Sequence, residues 1–317
     1  MKQLKKIAEK LFKNTLKDEK GNGLSVSLDE LMDMRRFVKY LKFHHSEKSY
    51  SESAGDLKSA FKGRGIEMEE IRAYQFGDDV RDIDWRVTAR KDQPYTKIYQ
   101  EERDREFYVW LDLSPMMMFG SVKELKAVTA AKIAALLGWV ALDHKDKFGC
   151  VIFDGVNTWF FKAKRDRAYL GAIFKKISEI SKISLYRTDF SEAMRLKSLQ
   201  QLRLNVKNKS EVFVVSSLLD WSGEQDKELA ALAHKTDLFM INVFDKLEIK
   251  APVAGQYMAE YQGQKLVFDS SAKAYRKNYE LYFKKMMQQK EDFCHRFNCR
   301  LVNFSAEMSY IKALKIF

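Results

Sequence analysis

The stretch RAYQFGDDVRDIDWRVTAR, residues 72–90, sets Arg72, Arg81, Arg86 and Arg90 against Asp78, Asp79, Asp82 and Asp84, around Gly77 and Trp85. Clustered carboxylates in a basic chain are what a two-metal nuclease requires. Here every carboxylate has an arginine within a few residues, and an arginine–carboxylate fork satisfies both partners without a metal. The four acids and four arginines also cancel, so the segment adds nothing to a phosphate-binding field. The expected role is a clamp. Gly77, Asp78 and Asp79 make a turn, Trp85 anchors an apolar face, and the Arg/Asp pairs hold the segment to the domain that follows.

A second set of polar residues falls just after apolar runs. FYVWLDL (107–113) contains Asp112 and leads into Ser114-Pro115-Met116; EVFVVSS (211–217) ends in Ser216-Ser217, with Asp220 beyond; Arg187-Thr188-Asp189 precedes a helical stretch. A carboxylate and hydroxyls gathered at one sheet edge could hold a hard divalent cation through oxygen ligands. Ser114 as a nucleophile has no general base near it in sequence, which disfavours acyl transfer. The five histidines form no metal-ligand spacing, no phosphate-binding glycine loop opens a helix after a strand, and Cys294, His295 and Cys299 do not match a zinc pattern.

The elements that would position these residues follow from periodicity. Helices are expected over 26–45, capped by Ser27 with Glu30 three residues on, and over 122–143, 167–181, 189–204, 224–235 and 271–298, with one more at the C-terminus. Strands are expected over 95–102, 107–113, 147–153, 157–163, 211–217, 237–244 and 299–304, with a hairpin at Asp154-Gly155 and a small β excursion over 248–269. Residues 46–65 read as a loop. Strands alternating with helices of ten or more residues indicate an α/β fold, a mainly parallel sheet with helices on both faces. Ligands of such sheets sit beyond the C-terminal strand ends. The expected division is an N-terminal helical and β extension over 1–105, followed by the α/β domain over 106–317.

The chain has 317 residues, 46% of them hydrophobic, and a net charge of +12 spread among 44 acids. It has enough apolar residues for a large core, and no apolar run approaches the roughly 18–20 residues that span a bilayer. MKQLKKIAEKLF has no continuous apolar segment of the kind a secretory signal needs. Three cysteines suggest a reducing compartment, hence a cytoplasmic protein. Lys2, Lys5, Lys6, Lys10, Lys13 and Lys17 flank Leu4, Ile7, Ala8, Leu11 and Phe12 at helical spacing. This basic amphipathic helix could pack on its own domain or a partner, or lie on an anionic membrane at the inner face.

The pattern of Arg72, Tyr74, Gly77, Asp78, Asp79, Arg81, Ile83, Asp84, Trp85, Ala89 and Arg90, then Glu101 and Glu102 and an apolar strand ending at Asp112 and Ser114, resembles the bacterial domain-of-unknown-function family 58. The stretch from Val243 to Glu248 is also similar. The resemblance runs from about residue 60 to the C-terminus. It implies a core similar to a von Willebrand factor type A domain, no established enzyme activity, and association with MoxR-type AAA+ ATPases. It further implies a metal-ion-dependent adhesion site, with Asp112, Ser114 and Thr188 at its ligand positions. Met116 stands where a second serine is expected and Ser217 where an aspartate is expected, with Asp189 or Asp220 as substitutes. The resulting expectation is a protein-binding adaptor or assembly factor with a degenerate site and at most weakly held Mg²⁺. The alternative is a nucleic-acid or anionic membrane-surface binder; a hydrolase fits less well.

Overall fold

The computed structural model describes residues 21–39, 66–91, 93–101, 105–218, 221, 223–261 and 264–307. The basic segment 1–17, the end of the first expected helix, the loop 46–65, Glu102, Asp220 and the C-terminal helix lie outside the described residues. In chain order, α1 (Leu28–Asp33) and α2 (Arg35–Val38) come first, parted at Met34. Ser27 and Glu30 form the expected capping box on α1. Then come β1 (Ile66–Ala73), a 3-10 turn (Val80–Asp82), α3 (Trp85–Thr88) and β2 (Tyr95–Glu101). The large domain continues with β3 (Glu106–Asp112), α4 (Lys126–Asp143), β4 (Lys147–Phe153), β5 (Thr158–Lys164), α5 (Arg167–Ser184) and α6 (Glu192–Asn205). It closes with β6 (Glu211–Ser216), α7 (Glu224–Lys235), β7 (Asp237–Phe244), α8 (Lys246–Ile249), the hairpin β8 (Gln256–Tyr261) and β9 (Gln264–Asp269), α9 (Lys273–Phe297) and β10 (Arg300–Ser305).

The chain divides into two compact units, one holding residues 44–104 and the other the rest. The expected single boundary near residue 105 does not describe α1 and α2. They pack on the α/β domain, where Ser181 Oγ accepts the Val26 N–H (3.2 Å) and Trp139 Nε1 donates to the Leu31 carbonyl (3.1 Å). In the smaller unit, β1 and β2 pair antiparallel, with a register shift between Met68 and Glu70.

The large unit is built on a six-stranded sheet of order β10-β7-β6-β3-β4-β5, parallel except where β5 returns antiparallel to β4. Every residue of β3 is buried, as a central strand covered on both faces must be. Phe107, Val109 and Leu111 join the core beneath α4, α5, α1 and α2, while Tyr108 and Trp110 join the core under α6, α7 and α9. Helix α4 is buried along its whole length from Lys126 to Ala141, because the sheet lies under it while α1, α2 and α5 cover it. A helix enclosed in this way has no polar stripe to display. This mixed α/β, mainly parallel sheet with helices on both faces is consistent with a type A-like domain. Among the described residues no helix is long and apolar enough to cross a membrane.

The strand order reverses between β3 and β6. From β3 the chain steps to β4 and β5 on one side, then crosses back to lay down β6 on the other. This is the switch point at which doubly wound sheets open a crevice beyond their C-terminal strand ends. Two helices connect β5 to β6 because β5 runs the opposite way, so the α5–α6 loop returns to that same edge.

Glu211 begins β6 at the other edge, where burial pushes its carboxyl up to about 7 although Arg105 lies 3.8 Å away. A carboxyl whose pKa is raised in the folded chain binds a proton there after the unfolded chain has lost it. Stability therefore falls as pH rises from about 4.5 to 7 and stays lower above. Glu211→Gln should remove about 2 kcal/mol of that loss, seen as a smaller drop in urea midpoint between pH 5 and pH 8.

Candidate functional site at the switch point

Asp112 is the last residue of β3 and Ser216 the last of β6, so the sheet register sets them side by side across the switch point. Ser216 Oγ donates to Asp112 Oδ2 (2.6 Å), and the Ser114 N–H donates to Asp112 Oδ1 (2.9 Å). Burial pushes the Asp112 carboxyl up; the bonds from Ser216 and Ser114 and the nearby positive charge of Arg195 pull it back. Ser114 caps the 3-10 turn Pro115–Met117, and its buried Oγ has no hydrogen-bond partner. Met116, on that turn, is half-buried.

Around this pair the loops are tied to one another. Ser121 donates from its N–H and its hydroxyl to the two oxygens of Asp245, at 2.8 and 2.7 Å. Asp245 and Glu248 form the capping box of α8, so this helix start is fixed to the loop after β3. Lys126, 2% exposed, sends its ammonium to Glu248 Oε1 (2.5 Å) and Ser217 Oγ (3.3 Å). After β4, Asp154 accepts the N–H groups of Val156 and Asn157 and pairs with Arg187 Nη2 at 3.1 Å. Gly155, at φ 109°, passes so close to the Asp189 carbonyl that a Cβ would lie 2.8 Å from it. These contacts seat the α5–α6 loop, in which Thr188 and Asp189 are exposed. On α6, the Arg195 side chain is fully buried between the rings of Phe190 and Trp221, 5.0 and 5.3 Å from their centres.

The structure thus joins Asp112, Ser114 and Ser216 directly and reaches Ser217 through Lys126. Thr188 is exposed on the α5–α6 loop, whose Asp189 carbonyl and the ring of Pro115 both lie 2.8 Å from the Cβ position of Gly155. The sequence reading missed Lys126, Ser121, Asp245 and Arg195 as parts of this edge. A signal was present for one of them: Lys126 is a charge at the head of a mainly apolar helix. The donor set departs from the expected adhesion site: each oxygen of Asp112 accepts a protein hydrogen bond, Met116 offers a thioether, and an ammonium rather than a carboxylate meets Ser217. Among the described residues no three His, Cys, Asp or Glu side chains gather in one place.

In the smaller unit, the family-like residues form a closed turn. Arg72 Nη2 pairs with Asp78 Oδ1 (3.0 Å), and Arg81 Nε with Asp79 Oδ1 (3.3 Å). Asp84 caps α3 through the N–H groups of Arg86 and Val87 and pairs with Lys97 (3.3 Å) rather than with an arginine. Those hydrogen bonds, led by that of Val87, hold its carboxyl below the usual range. Trp85 is 66% exposed, so it is not the apolar anchor expected.

The family model described as "Protein of unknown function DUF58" matches residues 70–290. The chain belongs to this family. Two relatives, the uncharacterized proteins Rv1480 of Mycobacterium tuberculosis and Mb1516 of Mycobacterium bovis, are each 25% identical over 210 residues. That match covers 65% of this chain and 63% of each relative's length. A solved structure, the conserved hypothetical protein BatB from Bacteroides thetaiotaomicron, aligns at 16% identity and a TM-score of 0.41, over 67% of this chain and 95% of that one.

Lys126→Met leaves Glu248 without its buried ammonium and should cost this DUF58 chain about 3 kcal/mol in urea unfolding. Adding Glu248→Gln should recover most of it, because the unpaired charge is then gone while the amide oxygen still accepts the Asp245 N–H.

Proposed function

We propose that the chain is a non-enzymatic protein-binding adaptor or assembly factor that works with a MoxR-type AAA+ ATPase. The observation that supports this reading is the division of labour at the switch-point edge. Asp112, Ser114 and Ser217 are at most 5% exposed, so they shape the edge from inside. The loops they hold present Phe119, Val122 and Tyr186, which are 43, 71 and 88% exposed, beside exposed Thr188 and Asp189. Large apolar groups on firmly held loops suit a protein partner better than a small substrate. No nucleophile and base are paired there among the described residues, and docking through this degenerate adhesion site is metal-independent. The setting in this reading is the cytoplasm, with the basic N-terminal segment available to the inner membrane face.

Mixing the full chain with a MoxR-type ATPase from the same organism should give a complex measurable by calorimetry. EDTA should leave its affinity unchanged. Tyr186→Ala combined with Val122→Glu should weaken it at least tenfold while leaving the melting temperature unaltered. Absence of a complex, or its loss on chelation, would refute the reading.

A further inference from the structure

The turn between β1 and β2 has a composition that the switch-point edge does not explain. The Tyr74 N–H donates to the Pro94 carbonyl (2.8 Å) and the Asp84 N–H to the Tyr95 carbonyl (2.8 Å). Both ends of the segment 75–83 are therefore fastened to consecutive residues, and Phe76 and Trp85 leave the same closure within two residues of it. Phe76 is fully exposed, Trp85 66% and Val80 60%. Three large apolar side chains in water on one ten-residue turn carry a cost that a purely structural turn has no reason to bear. Gly77, at φ 105° with open space where a Cβ would be, is required by the backbone of that turn and not by packing.

The charges on the turn are sorted. Asp78 is neutralised by Arg72, Asp79 by Arg81, and Asp84 by Lys97 together with the first N–H groups of α3. Among the described residues, Asp82 is the carboxylate of the turn left without such a partner. On the cationic side, the guanidinium groups of Arg86 and Arg90 enter no ion pair or hydrogen bond with described residues. Both are exposed, Arg86 on the four-residue helix α3 and Arg90 in the turn that follows it. Arg81, 82% exposed, holds Asp79 through its Nε alone, at 3.3 Å. What the turn offers to solvent is thus tryptophan, phenylalanine and arginine; tryptophan and arginine are among the residue types that dominate binding energy at protein interfaces.

We propose that this turn is a docking surface for an acidic segment of a protein partner that also carries an aromatic or long aliphatic side chain. Phe76 and Trp85 take the apolar group, and Arg81, Arg86 and Arg90 take the carboxylates as planar forks. The complementarity of an arginine surface with an acidic segment selects this occupant over a basic one. The small extent of the surface fits a short linear segment and not a broad globular face. The proposal does not rest on the reading of the Asp112 edge.

The test is a selection of random twelve-residue peptides on the full chain, depleted against the Trp85→Ala chain, followed by fluorescence polarisation with the winning synthetic peptide. The expected winners are net acidic with one aromatic or long aliphatic residue. Their affinity should fall at least tenfold with Trp85→Ala and with Arg86→Glu/Arg90→Glu, and stay unchanged with Lys284→Glu, an exposed charge reversal on α9. Replacing the peptide's apolar residue by serine should also weaken binding at least tenfold. If Trp85→Ala lowers the melting temperature, Phe76→Ser replaces it in both steps. No enrichment over the depleted pool, basic or neutral winners, or binding indifferent to the serine replacement would overturn the proposal. So would a concentration-dependent dimer in sedimentation that Trp85→Ala abolishes, because a second copy would then cover the surface.

Discussion

Asp112 ends the central strand almost fully buried, and protein groups meet both oxygens of its carboxyl. The Ser216 hydroxyl meets one oxygen and the Ser114 N–H the other. The first of these bonds joins β3 to β6, the two strands between which the sheet reverses its order. The second turns the chain sharply out of β3 into the 3-10 turn that starts the loop to α4. A single buried carboxyl therefore fixes both the spacing of the switch point and the exit direction of the loop above it. Replacing it would leave a hydroxyl and an N–H unsatisfied in a site already closed to solvent, the arrangement in which an unmade hydrogen bond is most costly.

The same edge solves a charge problem in a way that decides its chemistry. Oxygen-rich strand ends attract a cation, and in this chain the cations come from its own side chains. The Lys126 ammonium fills the space between Ser217 and Glu248, Arg187 neutralises Asp154, and Arg195 lies under aromatic rings near Asp112. Each of these groups is covalently attached and cannot dissociate. The ties between the loops of this edge are thus made by the chain's own side chains. Loops held in this way leave little to be ordered when a partner docks, as the proposed adaptor role asks.

Much of the fold was legible because the core strands are continuous apolar runs and the helices between them are long; Asp154-Gly155 marked the hairpin and Ser27 with Glu30 the capping box. β1 was not legible. Its sequence IEMEEIRA places Glu69 beside Glu70, and the bulge between Met68 and Glu70 breaks the two-residue period that identifies a strand. The start of α4 was placed four residues early, because Ser121 is held by Asp245, 124 positions away, and local periodicity carries no trace of such a bond. At the site, Asp112, Ser114 and Ser217 could be found from their places after apolar runs. Lys126 and Arg195 could not be assigned, because what gives them a role is burial beside a carboxylate from another part of the chain.

Trp85 shows the converse case. A tryptophan inside a dense charge pattern invites the reading that it anchors a core and that the charges clamp around it. The geometry divides these roles: three of the four acids, Asp78, Asp79 and Asp84, find cations in the turn or on β2, and the tryptophan is left outside. Pairing Asp84 with Lys97 rather than with Arg86 is the step that does this, since it leaves Arg86 exposed without a carboxylate partner among the described residues. Lys97 comes from β2, so the strand pairing, and not the motif's own arginines, determines which cations are spent internally. A pattern whose net charge is zero in sequence thereby leaves, among the described residues, two unpaired arginines against one unpaired carboxylate, Asp82, and formal charge balance along a chain is no measure of the field it presents.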